Sequence, residues 1–303
     1  MPSAKSTAGW FLAPAIDDVP RYTAVGMTTL RIIVGLMWLY NVAWKRAPRF
    51  GEDSGTGLYR FTREAVEHPV LPPYSWAVEY VVLPAFQPFG WAVLVVETAL
   101  AVLLLTGTYV RLAAFLGVAQ SLAIGLSVAY APGEWPWAYW LMIGAHIALL
   151  VSASGRALAV DAVRAGLSTG RVLGTVWGGL AVAIGVIGVI GSFSDPVAAK
   201  GFRLGSTDPS VSLGNYNVLG AVVIIVVGVL LVLAARGPSR GLGWAALAVG
   251  VCAGLSLHAQ LGFTDPLLGG NTTSAAMYFS LAVVAAYVSV VPQRRRNRET
   301  VPG

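Results

Sequence analysis

A carboxylate inside an apolar run constrains this chain more than any other feature: Glu97 lies within Gly90 to Thr106, GWAVLVVETALAVLLLT. The run is long enough to span a bilayer, and a carboxylate near its middle adds about 3 kcal/mol to the cost of insertion. Glu97 therefore needs a cationic partner, a proton or a wet cavity. Two other apolar runs carry candidates, Arg31 in TLRIIVGLMWLYNVAW and His146 in WAYWLMIGAHIALLVSA.

Composition fixes the class in which that problem is posed. Hydrophobic residues make up 56% of the 303 residues and charged residues 11%. Ordinary soluble domains are about one quarter charged. The apolar stretches are continuous rather than alternating, which points to an all-α polytopic membrane protein and excludes an outer-membrane barrel. The net charge of +6 resides largely in short loops and in the tail residues Arg294, Arg295, Arg296 and Arg298, so it orients the chain and does not mark a nucleic-acid binder. Cys252 is the single cysteine, which excludes an internal disulfide, a CxxC redox pair and a thiolate metal cluster. The first twenty residues contain Asp17 and Asp18 and no continuous apolar stretch, so a cleavable signal peptide is not expected.

Hydropathy predicts about eight transmembrane helices, near 25–44, 88–107, 110–131, 135–153, 172–193, 216–235, 241–261 and 274–292. The domains expected are an N-terminal tail (1–23), a four-helix membrane domain (24–168), a C-terminal four-helix membrane region (169–293) and a basic tail (294–303). Lys and Arg are concentrated in the tails and alternate loops, which places both termini in the cytoplasm of a multi-pass cell-membrane protein. One long hydrophilic loop, 45–87, faces outward. Within it SWAVEYVVLPAF is too short to span and reads as an interfacial helix lidding the bundle. Phe193-Ser194-Asp195-Pro196 and Phe263-Thr264-Asp265-Pro266 repeat one motif, and Asp before Pro predicts the start of a short helix after each.

Counting residues from the span ends puts Arg31, Glu97, His146 and Gln120 all about 10 to 15 Å from the cytoplasmic face. Arg31 is the expected partner of Glu97, since a guanidinium can hold a carboxylate with two parallel hydrogen bonds. One reading is that the pair fixes helix contacts. The other adds His146 as a proton carrier beside a quinone head group, with Gln120 and Trp137 near the quinone. Trp137 also belongs to the cluster Trp135, Trp137, Tyr139, Trp140, which reads first as an interfacial aromatic belt. Lys45, Arg46 and Arg49 directly follow span 1 and form a candidate site for a small oxyanion. His146 and His258 fall at different depths, so they cannot ligate one haem, and no His, Cys or acidic cluster has metal-ligand spacing; no metal site or flavin motif is expected.

The first half of the chain resembles the DoxX/DoxD family of membrane proteins. The resemblance rests on LRIIVGLMWLYNVAWK, HPVLPPY, LPAFQPFGW, ETALAVLLLTGTYVRLAA and EWPWAYWLMIGAHIALLVSASGRALAVDA, in that order over roughly residues 25–162. It implies a four-helix bundle and, by similarity to the small subunit of a thiosulfate:quinone oxidoreductase, electron transfer from thiosulfate to membrane quinone with a partner redox subunit. The four later spans depart from the minimal family pattern. The function expected is an integral membrane subunit of a quinone-linked oxidoreductase, with catalytic Arg31, Glu97 and His146 and substrate-binding Lys45, Arg46 and Arg49. A carrier for a small sulfur compound or lipid, and a non-catalytic scaffold for redox partners, are the alternatives.

Overall fold

The structure, a computed structural model, describes residues 7–204, 212–237, 239–263, 266–269 and 272–290. A short helix α1 (Thr7–Leu12) precedes α2 (Arg21–Ala43), and two small helices, α3 (Gly57–Glu67) and α4 (Pro72–Ala77), lead into α5 (Phe86–Thr106). Then follow α6 (Val110–Val128), α7 (Pro136–Val151), α8 (Val160–Arg164) and α9 (Arg171–Ser192). A two-stranded antiparallel hairpin, β1 (Phe202–Arg203) and β2 (Asn215–Tyr216), opens the last part, followed by α10 (Val218–Arg236), α11 (Arg240–Ala259) and α12 (Thr272–Ala285).

Among the described residues six helices are long and apolar enough to cross a membrane: α2, the stretch Pro72–Thr106, α6, α9, α10 and α11. The chain is thus mostly helical, with the several long apolar helices that a multi-pass membrane protein requires. Each expected span falls on an apolar helix, but α7, with 16 residues, and α12 are shorter than the rest. α12 is buried along almost its whole length and touches α2, α5, α9, α10 and α11. Its sequence TTSAAMYFSLAVVA is rich in small residues, which lets neighbouring helices approach closely. The C-terminal region is consequently not an appendage; it shares its most buried helix with the first half.

Alternation of direction gives the bundle two ends. The C-terminus of α2 and the N-terminus of α12 meet at one of them, where the Thr272 hydroxyl donates to the Val42 carbonyl. This is the Lys45 end. At the opposite end, Asp161 draws the loops together. Its carboxylate accepts from the backbone N–H groups of Tyr109 and Val110, both at 3.1 Å, satisfying orphan donors at the start of α6, and it pairs with Arg164 at 2.7 Å. The N-terminal segment is clamped onto this end: Arg111 binds Asp17 at 2.9 Å, Arg156 binds Asp18 at 2.7 Å, and Arg164 donates to the Leu12 carbonyl at 3.0 Å.

Two local expectations change. The expected interfacial helix is not a separate lid, because Pro72–Thr106 runs as one helical stretch of 35 residues. A bend at Ala85, whose φ of −115° and ψ of 40° leave the helical region, separates the extension from α5. Pro84 and Pro88 flank it, and each lacks the N–H that would continue the ladder. Trp76 and Tyr80 on the extension remain exposed, as an interfacial surface requires, while the Tyr74 hydroxyl fastens it to the end of α6 through Ser127 and the Ala123 carbonyl. The second change is at Asp195-Pro196, which forms a turn and starts no helix. The Pro196 carbonyl accepts from Val218 N–H, which ties the turn to the start of α10. In the second copy Thr264 and Asp265 lie outside the described residues.

Gly107 ends α5 in the left-handed conformation at φ +67°, where a side chain would meet Ala159 and Arg31. Gly107→Ala is expected to destabilise the fold by about 1–3 kcal/mol, read as a lowered unfolding midpoint in detergent. An unchanged midpoint would show that this turn bears no strain.

Candidate functional site

Glu97 finds its cation at 3.1 Å, and the cation is Lys45. Both side chains are almost completely buried, 2% exposed for Lys45 and 1% for Glu97. Gln120 of α6 donates its side-chain N–H to the other carboxylate oxygen at 3.2 Å. The Lys45 ammonium also lies 3.7 Å from the centre of the Trp44 ring, whose electron-rich face attracts a cation. Lys45 follows the apolar run directly, which in sequence reads as a surface position. Its four-carbon stem instead carries the charge inward to the carboxylate, the reverse of the usual snorkelling toward water.

Arg31 does not pair with Glu97. It sits at the level of the last turn of α5, donating to the carbonyls of Leu104 at 2.5 Å and Leu105 at 3.2 Å, and to those of Ala157 at 3.2 Å and Leu158 at 2.9 Å. Leu104 is seven residues beyond Glu97, about 10 Å along the helix axis. Arg31 therefore satisfies carbonyls left open at a helix C-terminus, where the helix dipole favours a cation. Sequence depth counting placed it too far into the bundle.

His146 is held apart from Glu97 by its own bonds. Trp38 donates its indole N–H to His146 Nε2 at 2.9 Å, and His146 Nδ1 lies 2.7 Å from the Met142 carbonyl, which assigns the neutral Nδ1–H tautomer. The ring fills the space above Gly117, where a Cβ would come within 2.0 Å of it. Gly117 and Gln120 are one turn apart on α6, so neighbouring stretches of that helix meet His146 and Glu97. Of the expected set, Glu97 and Gln120 touch, His146 of α7 packs on α6 at Gly117 instead, and Arg31 is elsewhere.

Above the buried pair opens a cavity of about 800 Å³. Its cationic lining residues are Lys45 and Arg46 after α2, Lys200 before β1 and Arg203 within it. Among the described residues its lining contains no carboxylate. Tyr40, Trp44, Gln260 and Thr272 complete much of the polar and aromatic wall. The two halves of the chain close this wall together: Gly262 comes so near Pro48 that a Cβ would lie 2.7 Å from the proline ring. Lys200 and Arg203 were absent from the expected site. Their signal was present in sequence as two cations in a loop on the same side as Lys45, but nothing in spacing shows that the loop folds over the end of α2.

The remaining expected positions separate. Arg49 pairs with Asp53 at 2.7 Å, is 60% exposed and does not line the cavity. Trp137 is exposed at the start of α7 with its ring 5.5 Å from that of Trp135, in keeping with an interfacial belt. His258 lies in the last turn of α11, its Nδ1 3.2 Å from the Gly254 carbonyl. The expectation that no cluster has metal-ligand spacing needs one correction, because Glu64, Glu67 and His68 on and just beyond α3 bring ligand atoms within 4.8 Å of one another. Both carboxylates also engage arginines of the same helix, Glu64 with Arg60 at 3.6 Å and Glu67 with Arg63.

Compared with family models, curated proteins and solved structures, the chain matches none. The arrangement itself can hold a small anion above a buried lysine and carboxylate. Removing one partner of a buried pair strands the other charge and costs about 3–5 kcal/mol. Lys45→Met is expected to destabilise the fold by that amount, and adding Glu97→Gln to it should recover part of the loss. Unfolding of the two single variants and the double variant in detergent measures the coupling; strictly additive effects would contradict the pairing.

Proposed function

We propose that this chain is an anion-binding membrane subunit of a quinone-linked oxidoreductase, with thiosulfate or another small sulfur oxyanion as the electron donor. The observation that carries the reading is the cavity in which Lys45, Arg46, Lys200 and Arg203 converge without a carboxylate among the described lining residues. A dianion suits such a site, since hydrogen bonds between charged groups are the strong ones and arginine offers several donors in a fixed plane. The redox half of the proposal rests on the DoxX/DoxD resemblance of residues 25–162. In this reading there are eight spans, both termini are cytoplasmic, and the cavity faces outward from the cell membrane.

The chemistry balances simply. Two thiosulfate ions each lose one electron and join through a new S–S bond to give tetrathionate, and quinone takes the two electrons with two protons to become quinol. Arg31 is engaged with four carbonyl oxygens, which favours a structural task for it. Glu97 is the buried acid that would carry protons in this reading, His146 being bonded at both nitrogens, and a partner subunit would take part in electron transfer. A second reading, a carrier for the same anion, is favoured by Lys45, which lines the cavity and pairs with the buried Glu97, so that the pair would act as a gate.

Arg203→Ala and Arg46→Ala are each expected to weaken thiosulfate binding about tenfold, the loss of one charge-assisted hydrogen bond, whereas Arg49→Ala leaves it unchanged. Calorimetric titration of the lipid-embedded protein, followed by thiosulfate-dependent quinone reduction with the same variants, checks both parts. Equal binding by all the variants would place the anion elsewhere, and anion binding without quinone reduction would favour the carrier.

A further inference from the structure

Lys45 is the one residue that belongs both to the cavity wall and to the buried ion pair. Its ammonium rests on the Glu97 carboxylate and the Trp44 ring, and a rotation of its flexible stem would let it answer instead to an anion in the cavity. In a site shielded from water, two negative charges competing for one ammonium repel strongly, because the interaction scales inversely with the local dielectric. An anion entering at Lys45 raises the free energy of ionised Glu97, and the carboxylate can relieve it by taking a proton.

We propose that anion binding in the cavity is linked to protonation of Glu97, so that one proton is taken up for each anion bound. The inference rests on the anion-site reading above and adds a coupling to it. In the empty state Lys45 and Glu97 neutralise each other and Gln120 steadies the second carboxylate oxygen. In the occupied state Lys45 turns its charge to the anion, and the protonated Glu97 remains as a neutral hydrogen-bonding group beside Gln120. Release of the anion returns the proton.

The neighbouring charges do not offer an equal alternative. On α5 itself Glu97 is the sole titratable residue. From α6 it is met by the uncharged Gln120, while Arg111 of that helix is bound to Asp17 at the far end. On α2, Arg31 is engaged by four carbonyls and Tyr40 lines the cavity. On α12 the Tyr278 hydroxyl donates to the Gly220 carbonyl at 2.8 Å. His146 of α7 is occupied at both nitrogens, by Trp38 and by Met142. Arg46, Lys200 and Arg203 line the cavity, and their positive charge favours an anion there.

The sign follows from linkage: if the bound state holds one more proton, affinity rises about tenfold for each unit fall in pH while Glu97 is ionised in the empty protein, and it falls as pH rises. The experiment is calorimetric titration of the full chain in lipid nanodiscs with sodium thiosulfate, and with sodium sulfate as a redox-inert dianion. Each titration is run in two buffers of different ionisation enthalpy, so that the difference in heat counts protons. Wild type should take up close to one proton per anion. Glu97→Gln, which keeps a neutral partner for Gln120 and frees Lys45, should bind the anion with no proton uptake and with affinity independent of pH. Arg203→Ala should bind more weakly yet keep the uptake per anion bound.

The outcomes separate the two claims. No binding of either anion by folded wild type removes the anion site and the coupling with it. Binding without proton uptake, or uptake that persists in Glu97→Gln, overturns the coupling and leaves the site standing. Should Glu97→Gln fail to fold, the pH dependence of wild-type affinity decides, and a flat profile overturns the proposal.

Discussion

The structure depends on how a single carboxylate is neutralised inside an apolar bundle. Glu97 could not remain an isolated charge in α5, and the contact with Lys45 resolves the conflict by drawing the end of α2 down onto it. That contact brings the residues after α2 into the protein: Trp44 stacks beneath the ammonium, Pro48 packs on Gly262 just beyond the end of α11, and Phe50 settles on α5 at Gly90. A cavity results because charged groups line this end and the apolar helices cannot fill it. Electrostatic compensation in the core and a polar opening above it are parts of one arrangement.

The other end of the bundle solves a different problem. Helix termini within a membrane protein leave carbonyl and N–H groups that have no partner along the helix, and here Arg31 and Asp161 supply them from the side. Arg31 gathers carbonyls from α5 and from the loop after α7, while Asp161 gathers N–H groups at the start of α6 and holds Arg164. The clamped N-terminal segment covers this end. One terminal cluster is therefore closed by backbone contacts and ion pairs, and at the other end cations line an open cavity.

Much of this was legible from sequence, and the limits are physical. Continuous apolar runs located the long helices, because a bilayer demands internal backbone hydrogen bonding. The need for compensation at Glu97 followed from its residue type, and Gln120, expected at a similar level, meets its carboxylate. The identity of the cation was not legible, since counting along a helix gives depth and leaves rotation and side-chain reach open. Arg31 looked like the partner because it lay inside a run, and Lys45 looked like a surface residue because it lay after one. Lys200 and Arg203 were hidden for a further reason: they line the cavity from the second half of the chain and Lys45 from the first, and spacing along the sequence does not show that the two meet. The bend at Ala85 could be anticipated from Pro84 and Pro88, but the uninterrupted helical path on both sides of it could not.

Lys45 pairs with a buried carboxylate and also lines a basic cavity, and in the proposed reading it moves between a fixed anion and an exchangeable one. This view gives the intramembrane acid a chemical task without a metal ligand set or a second histidine, and it makes the later helices contributors to the site instead of a separate module. The most direct test is infrared difference spectroscopy of the lipid-embedded protein on adding sulfate at neutral pH, in wild type and in Glu97→Gln. The account predicts that a carboxylate band disappears and a protonated carboxyl C=O band appears in wild type, and that neither change occurs in the variant. Saturation with sulfate while the Glu97 carboxylate bands stay unaltered would contradict it.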